Sequence, residues 1–208
     1  MGTAERKQLE KSARSKLILD SAADVFRERS FAGTTMEDIA TRAHIAVGTI
    51  YLYFKSKADI HFGLTKPALD GLLKRVKRIA DNKQNEPDVK IRKLVYAVEN
   101  FYVQNRDAYY LITRNKAADY SNLSIEDNLK TLRQLMKSNL KYLESVIEEG
   151  ILKGFYKKRN PYSMAVLFWS SFIGIIQYQE NRTALQKKDR RKITIELFIE
   201  IMLAGLKN

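Results

Sequence analysis

Residues 34–60 read TTMEDIATRAHIAVGTIYLYFKSKADI, and the spacing of their apolar side chains decides the reading of everything around them. Met36, Ile39, Ala40 and Ala43 recur at three- and four-residue intervals, the period of a helix of about two turns. Thr35 stands three residues before Asp38 at its start, so the Thr35 hydroxyl can cap the helix while Asp38 reaches back to the Thr35 amide. After His44, Ile45 and Ala46 a second short apolar period runs from Val47 to Phe54. Two short helices joined by a three-residue turn make the helix-turn-helix pattern. With about 100° of rotation per residue, Ile50 and Phe54 point one way, flanked by Val47 and Tyr51. Gly48, Thr49 and Leu52 point the other way, and that face is free to approach another surface.

Working outward, Leu17, Ile18, Ala22, Val25 and Phe26 predict an amphipathic helix from about Lys11 to Arg29, ended by a break at residues 30–34 that carries Gly33. A fourth helix begins near Lys57 and runs through Leu69, Leu72, Leu73, Val76 and Ile79, with interruptions at Gly63, Pro67 and Gly71; Pro67 should kink or divide it. Residues 81–88, DNKQNEPD, are polar and turn-rich and read as a surface connection. Further helices are expected at 88–105, 107–119, 124–153, 161–182 and 189–206, about nine in all. Ser124 followed by Asp127, and Asn160 followed by Pro161, mark two starts, and Gly154 marks a stop.

Composition agrees with an all-α chain. The 208 residues contain three prolines and nine glycines, too little punctuation for an all-β protein. The absence of cysteine excludes a disulfide framework, a thiolate nucleophile and cysteine-ligated zinc. His44 and His61 are the only histidines, and there is no HExxH, GxGxxG or Walker-type loop. No metal, no cofactor and no enzymatic activity is therefore expected, since neither paired carboxylates nor an activated nucleophile can be assembled. The polar N-terminus and a longest apolar run of only 13 residues, Met164–Ile176, point to a cytoplasmic protein without a membrane partner. Net charge is +13, of which residues 1–62 hold only +2. An anionic partner is implied, but the bulk charge lies away from the helix-turn-helix, so nucleic-acid binding must rest on the local motif.

That motif resembles the TetR/AcrR family of bacterial one-component transcription regulators over about residues 12–64. The resemblance is carried by Phe31, Gly33, Thr34 and Thr35, by Ile39 and Ala40, and by the block Gly48-Thr49-Ile50-Tyr51-Leu52-Tyr53-Phe54-Lys55-Ser56-Lys57. It implies a three-helix DNA-binding domain at 1–56 and a helical effector-binding and dimerisation domain at 57–208. It also implies a repressor that holds a palindromic double-stranded operator as a homodimer until a small molecule releases it. Thr35, Thr49, Tyr51, Tyr53 and Lys57 would then meet phosphates, and Val47, Gly48 and Leu52 would lie near bases. The chemistry suits those roles: Gly48 allows close approach, Leu52 suits a thymine methyl, and the tyrosines carry hydroxyls on rigid arms. The resemblance also counts His44 and Ala46 among the DNA-binding residues, although these two positions depart from the pattern. His44 stands in the turn where glycine is common, and Ala46 stands where a serine or threonine cap is usual.

The resemblance makes the helix with Gly63, Pro67 and Gly71 the transmitting element and places a ligand pocket among the later helices. Phe101, Tyr102, Tyr109, Tyr110, Phe168, Trp169 and Phe172 are the candidate lining, although aromatics at helical spacing also read as ordinary core. Arg106 and Arg114 lie beside them, so an apolar or an anionic amphipathic effector is conceivable. The last two helices are apolar nearly all round, which suggests a four-helix interface with a second copy, with Phe172, Ile176, Phe198, Met202 and Leu203 as candidates. The clusters at 74–78, 157–159 and 187–192 read as solvated basic faces or as non-specific DNA contacts. The alternative to a ligand-released regulator is a DNA-bound architectural or cell-division factor of the same fold.

Overall fold

The first helix, α1 (Thr3–Arg29), begins eight residues before the start expected at Lys11. Its opening turns are exposed on every side and are held by local bonds: the Gly2 N–H donates to Glu5 at 2.9 Å, and Arg6 pairs with Glu10 at 3.0 Å. Periodicity finds only the part of a helix that packs, which is why the expected start fell at Lys11. The computed structural model describes residues 2–106, 108–109, 126–186 and 190–207. Among these, eight helices and no strand occur: α1, α2 (Met36–Arg42), α3 (Val47–Tyr51), α4 (Lys57–Ala80), α5 (Pro87–Gln104), α6 (Glu126–Leu152), α7 (Pro161–Gln186) and α8 (Arg191–Leu206). Most of the helix expected at 107–119, and the start expected at Ser124, lie outside the described residues.

The described residues cluster in two compact units, one holding 2–68 and 126–133, the other 69–106, 108–109, 134–186 and 190–207. The core of the first is Ile18 and Ala22 from α1, Met36, Ile39 and Ala40 from α2, Ile50 from α3 and Ile60 from α4. Leu19, Phe26, Ile45, Val47, Tyr53, Phe54 and Leu64 pack around it. Gly33 is required here for space, because a Cβ would stand 2.6 Å from the Arg29 carbonyl oxygen. Pro67 lies inside α4 without dividing it, so one missing N–H costs the helix less than its packed face returns.

In the second unit α7 and α8 pack together, with the Phe168 and Phe198 rings 5.1 Å apart. Asn160 caps α7 by accepting from the Ser163 N–H at 2.8 Å, and Gly154 at φ 75° ends the turns after α6. Tyr156 fixes the connection between α6 and α7. Its hydroxyl donates to Asp88 at 2.7 Å, and its ring occupies the space that a side chain on Gly150 would need. The buried Lys90 bonds Glu149 at 2.5 Å and so ties α5 to α6.

Candidate nucleic-acid interface and core cavity

The two capped helix starts frame the site. Thr35 Oγ1 accepts from the Asp38 N–H at 3.1 Å, and the Asp38 carboxylate receives the Thr35 N–H at 2.9 Å. Arg29 adds a bond to the same carboxylate at 2.6 Å. The Thr35 N–H, followed by its hydroxyl, holds the Asp38 carboxyl below its usual range. Ser56 does the same work at α4, accepting from the Asp59 N–H at 3.2 Å and donating to its carboxylate at 3.0 Å. Sequence reasoning missed this second cap, although the signal, serine three residues before an aspartate at a helix start, was present.

Between these starts α3 is short. It closes at Tyr51 rather than at Phe54, because the Leu52 and Tyr53 amides bond back three residues to Thr49 and Ile50 and turn Tyr53 and Phe54 toward the core. Ala46 makes no side-chain cap, and His44 holds the preceding turn at φ 52°, in the left-handed region.

Exposure sorts the block into two faces. Ile50 is fully buried, and Val47, Thr49 and Tyr53 are half-buried. Thr35, His44, Ala46, Gly48, Tyr51 and Leu52 are exposed, Leu52 at 75 %. A Cβ on Gly48 would meet nothing within 4 Å, so no internal packing explains the glycine. Lys57 is not a free cation. Its Nζ donates to the Thr34 carbonyl at 2.6 Å and lies 4.6 Å from the centre of the Phe31 ring, binding the start of α4 to the turn before α2.

In the second unit the expected ligand residues separate into two groups. Phe168, Trp169 and Phe172 line a cavity with Val76, Leu94, Val95, Val98, Asn139 and Leu143. Tyr102, Arg106 and Tyr109 form a separate cluster: the tyrosine rings are 4.9 Å apart, and Arg106 donates to the Tyr102 hydroxyl at 3.0 Å and to Glu180 at 2.8 Å. Burial raises the Tyr109 phenol well above its usual range. Phe101 is buried without lining the cavity. Tyr110 and Arg114 lie outside the described residues.

The residues expected at a dimer face sit differently. Phe172, Ile176, Phe198 and Leu203 are covered by their own chain, and Met202 is half-buried. Among the described residues, the large apolar side chains that α7 and α8 leave in water are instead Tyr162, Leu167, Tyr178, Ile193, Leu197 and Ile201. A pair of helices apolar all round has two such faces, and periodicity alone does not say which is inward. No helix of the described residues is long and apolar enough to cross a membrane.

Comparison with known proteins places this geometry. Over 188 residues the chain is 27 % identical to the HTH-type transcriptional regulator YhgD of Bacillus subtilis, covering 89 % of this chain and 94 % of that one. Among solved structures it resembles a TetR/AcrR-family regulator from Thermobifida fusca, with a TM-score of 0.69 and 22 % identity over 94 % of this chain and 100 % of that one. It also resembles FadR of Bacillus subtilis in complex with stearoyl-CoA, with a TM-score of 0.66 and 20 % identity over 92 % of this chain and 98 % of that one. Residues 18–62, from the middle of α1 into α4, match the bacterial regulatory proteins of the tetR family. The helix-turn-helix of this chain is therefore similar to that of the tetR family of bacterial regulatory proteins.

Proposed function

We propose that this protein is a repressor that holds a palindromic operator as a homodimer in the cytoplasm and leaves it when a small molecule enters the second unit. Residues 1–56 read the DNA, and 57–208 bind the effector and pair the subunits. One observation carries the DNA reading: Leu52, a large apolar side chain at the end of α3, stands three-quarters in water while Ile50 two positions earlier is sealed in the core. Gly48, one helical turn before it, leaves open space beside it. Together they form a surface suited to a thymine methyl and to the close approach of a groove. Thr35, Thr49, Tyr51 and Tyr53 take phosphates, while Lys57 acts chiefly by clamping the two helix starts that the phosphates meet.

Selection from a random DNA pool at a stated, near-physiological salt concentration tests this. An enriched inverted repeat is expected, and Leu52→Ala should bind that repeat roughly tenfold more weakly, about the value of one base contact, with non-specific binding unchanged. Equal affinity of the variant for the repeat would remove Leu52 from the base-reading face.

The effector reading is supported by the cavity that α4, α5, α6 and α7 enclose and by the stearoyl-CoA carried by FadR, a neighbour in fold. An architectural or cell-division factor of the same fold is the second reading. The observation on its side is the size of the cavity, about 30 Å³ as it stands, room for a water molecule or two. Many dispersed sites without a shared repeat in the same selection would favour it.

A further inference from the structure

Asn139 sits where the pattern of α6 calls for an apolar side chain. It precedes the buried Leu143 by four residues and the buried Val146 by seven, on one face of the helix, and is itself only 7 % exposed. Its side-chain carbonyl, Oδ1, is sealed from solvent and accepts no hydrogen bond. A buried acceptor left unmade destabilises the fold, and a leucine would abolish that cost at similar volume. Asn139 also lines the cavity, and every other described lining residue is aliphatic or aromatic.

We infer that this cavity receives an uncharged, mainly apolar molecule bearing one hydrogen-bond donor, of the alcohol or phenol class, whose O–H is accepted by Asn139 Oδ1. The inference rests on reading the second unit as the effector-binding part. Three features select that class. A lone water needs two to four polar partners, and among the described lining residues only Asn139 and the Trp169 indole N–H carry polar atoms, so water is a poor occupant. An anion meets no cation among the described lining residues, and the Arg106 guanidinium is already held by Tyr102 and Glu180. A pure hydrocarbon would leave Oδ1 as unsatisfied as before. The present volume admits only a hydroxyl-sized group, so the apolar remainder must displace a side chain. Among the described lining residues Trp169 alone is partly exposed, so it is the side chain whose movement would open the cavity.

Trp169 is also the only tryptophan of the chain, so its fluorescence reports occupancy directly in the full-length protein. The probes are n-octanol and its isomer methyl heptyl ether, identical in atoms but differing in the O–H. Octanol should bind about tenfold more tightly than the ether, the worth of one hydrogen bond. Asn139→Leu should bind the two alike and unfold at a higher temperature than the wild type, and Asn139→Ala supplies the same comparison if leucine disturbs packing. Equal affinities in the wild type, or a preference for the alcohol that survives both substitutions, would overturn the inference. Operator release is measured in parallel by gel shift. A preference for the alcohol with no release keeps the inference and removes the effector reading; release by both isomers at equal concentrations does the reverse.

Discussion

His44 shows how one residue can carry a cost that its neighbours require. The turn from α2 to α3 needs a residue in the left-handed region, and His44 occupies it at φ 52°. A side chain there costs roughly 1 to 2 kcal/mol, part of which glycine would return through its own greater loss of freedom on folding. His44→Gly should therefore raise stability by roughly 0.5 to 1 kcal/mol in a denaturant titration. An unchanged midpoint would show that the imidazole makes a contact worth as much as the strain. This cost was legible from the sequence because it depends on a single backbone angle. The partners of Lys57 were not, because the Thr34 carbonyl that holds its ammonium is 23 positions away in the chain. Asn139 was hidden for a related reason: its position on the face of α6 is periodic, but the cavity it lines is built by three other helices.

Among the elements, α2 gives the sharpest test, because its start is tied by one carboxylate to three donors. Asp38 receives the Thr35 N–H, the Thr35 hydroxyl at 2.9 Å and the Arg29 guanidinium. Its pKa is lowered from an ordinary 3.8, first by the Thr35 amide and then by the hydroxyl. A carboxylate stabilised in the fold contributes above its unfolded pKa, and the contribution is lost as pH falls through the lowered folded value. Asp38→Asn should accordingly be less stable than the wild type at neutral pH, with the gap closing below about pH 4 as the wild-type carboxyl protonates. Thermal unfolding of both proteins across that range checks it, and a gap that persists undiminished into acid would mean that Asp38 acts through shape rather than charge. The sequence predicted the Thr35–Asp38 part of this cap, whose two residues stand three apart at the head of an apolar period, but not the Arg29 bond, which comes from nine positions away. It missed the start of α1 and the end of α3 because neither boundary is marked by an apolar side chain entering or leaving a core.

At the scale of the molecule, the last two helices present a surface that one protomer does not cover. Ile193, Leu197 and Ile201 recur every four residues along α8, 73 %, 54 % and 60 % exposed, and Leu167 and Tyr178 on α7 are exposed as well. Soluble monomers seldom leave so regular an apolar stripe in water. A twofold axis lets one such stripe cover its own copy, which also suits the proposed homodimer, whose reading helices would have to reach two half-sites roughly 34 to 36 Å apart. Leu197→Glu combined with Ile201→Glu should therefore halve the mass measured by light scattering and abolish tight binding to an inverted repeat, while the helical circular dichroism is retained. The same substitution at Phe198 or Leu203, both inside the protomer, should instead unfold the second unit, because it buries a charge without a partner. The contrast between neighbouring positions makes the test informative. A double variant that keeps the mass of the wild type would show that α8 faces solvent in the assembled protein and that the subunits pair elsewhere.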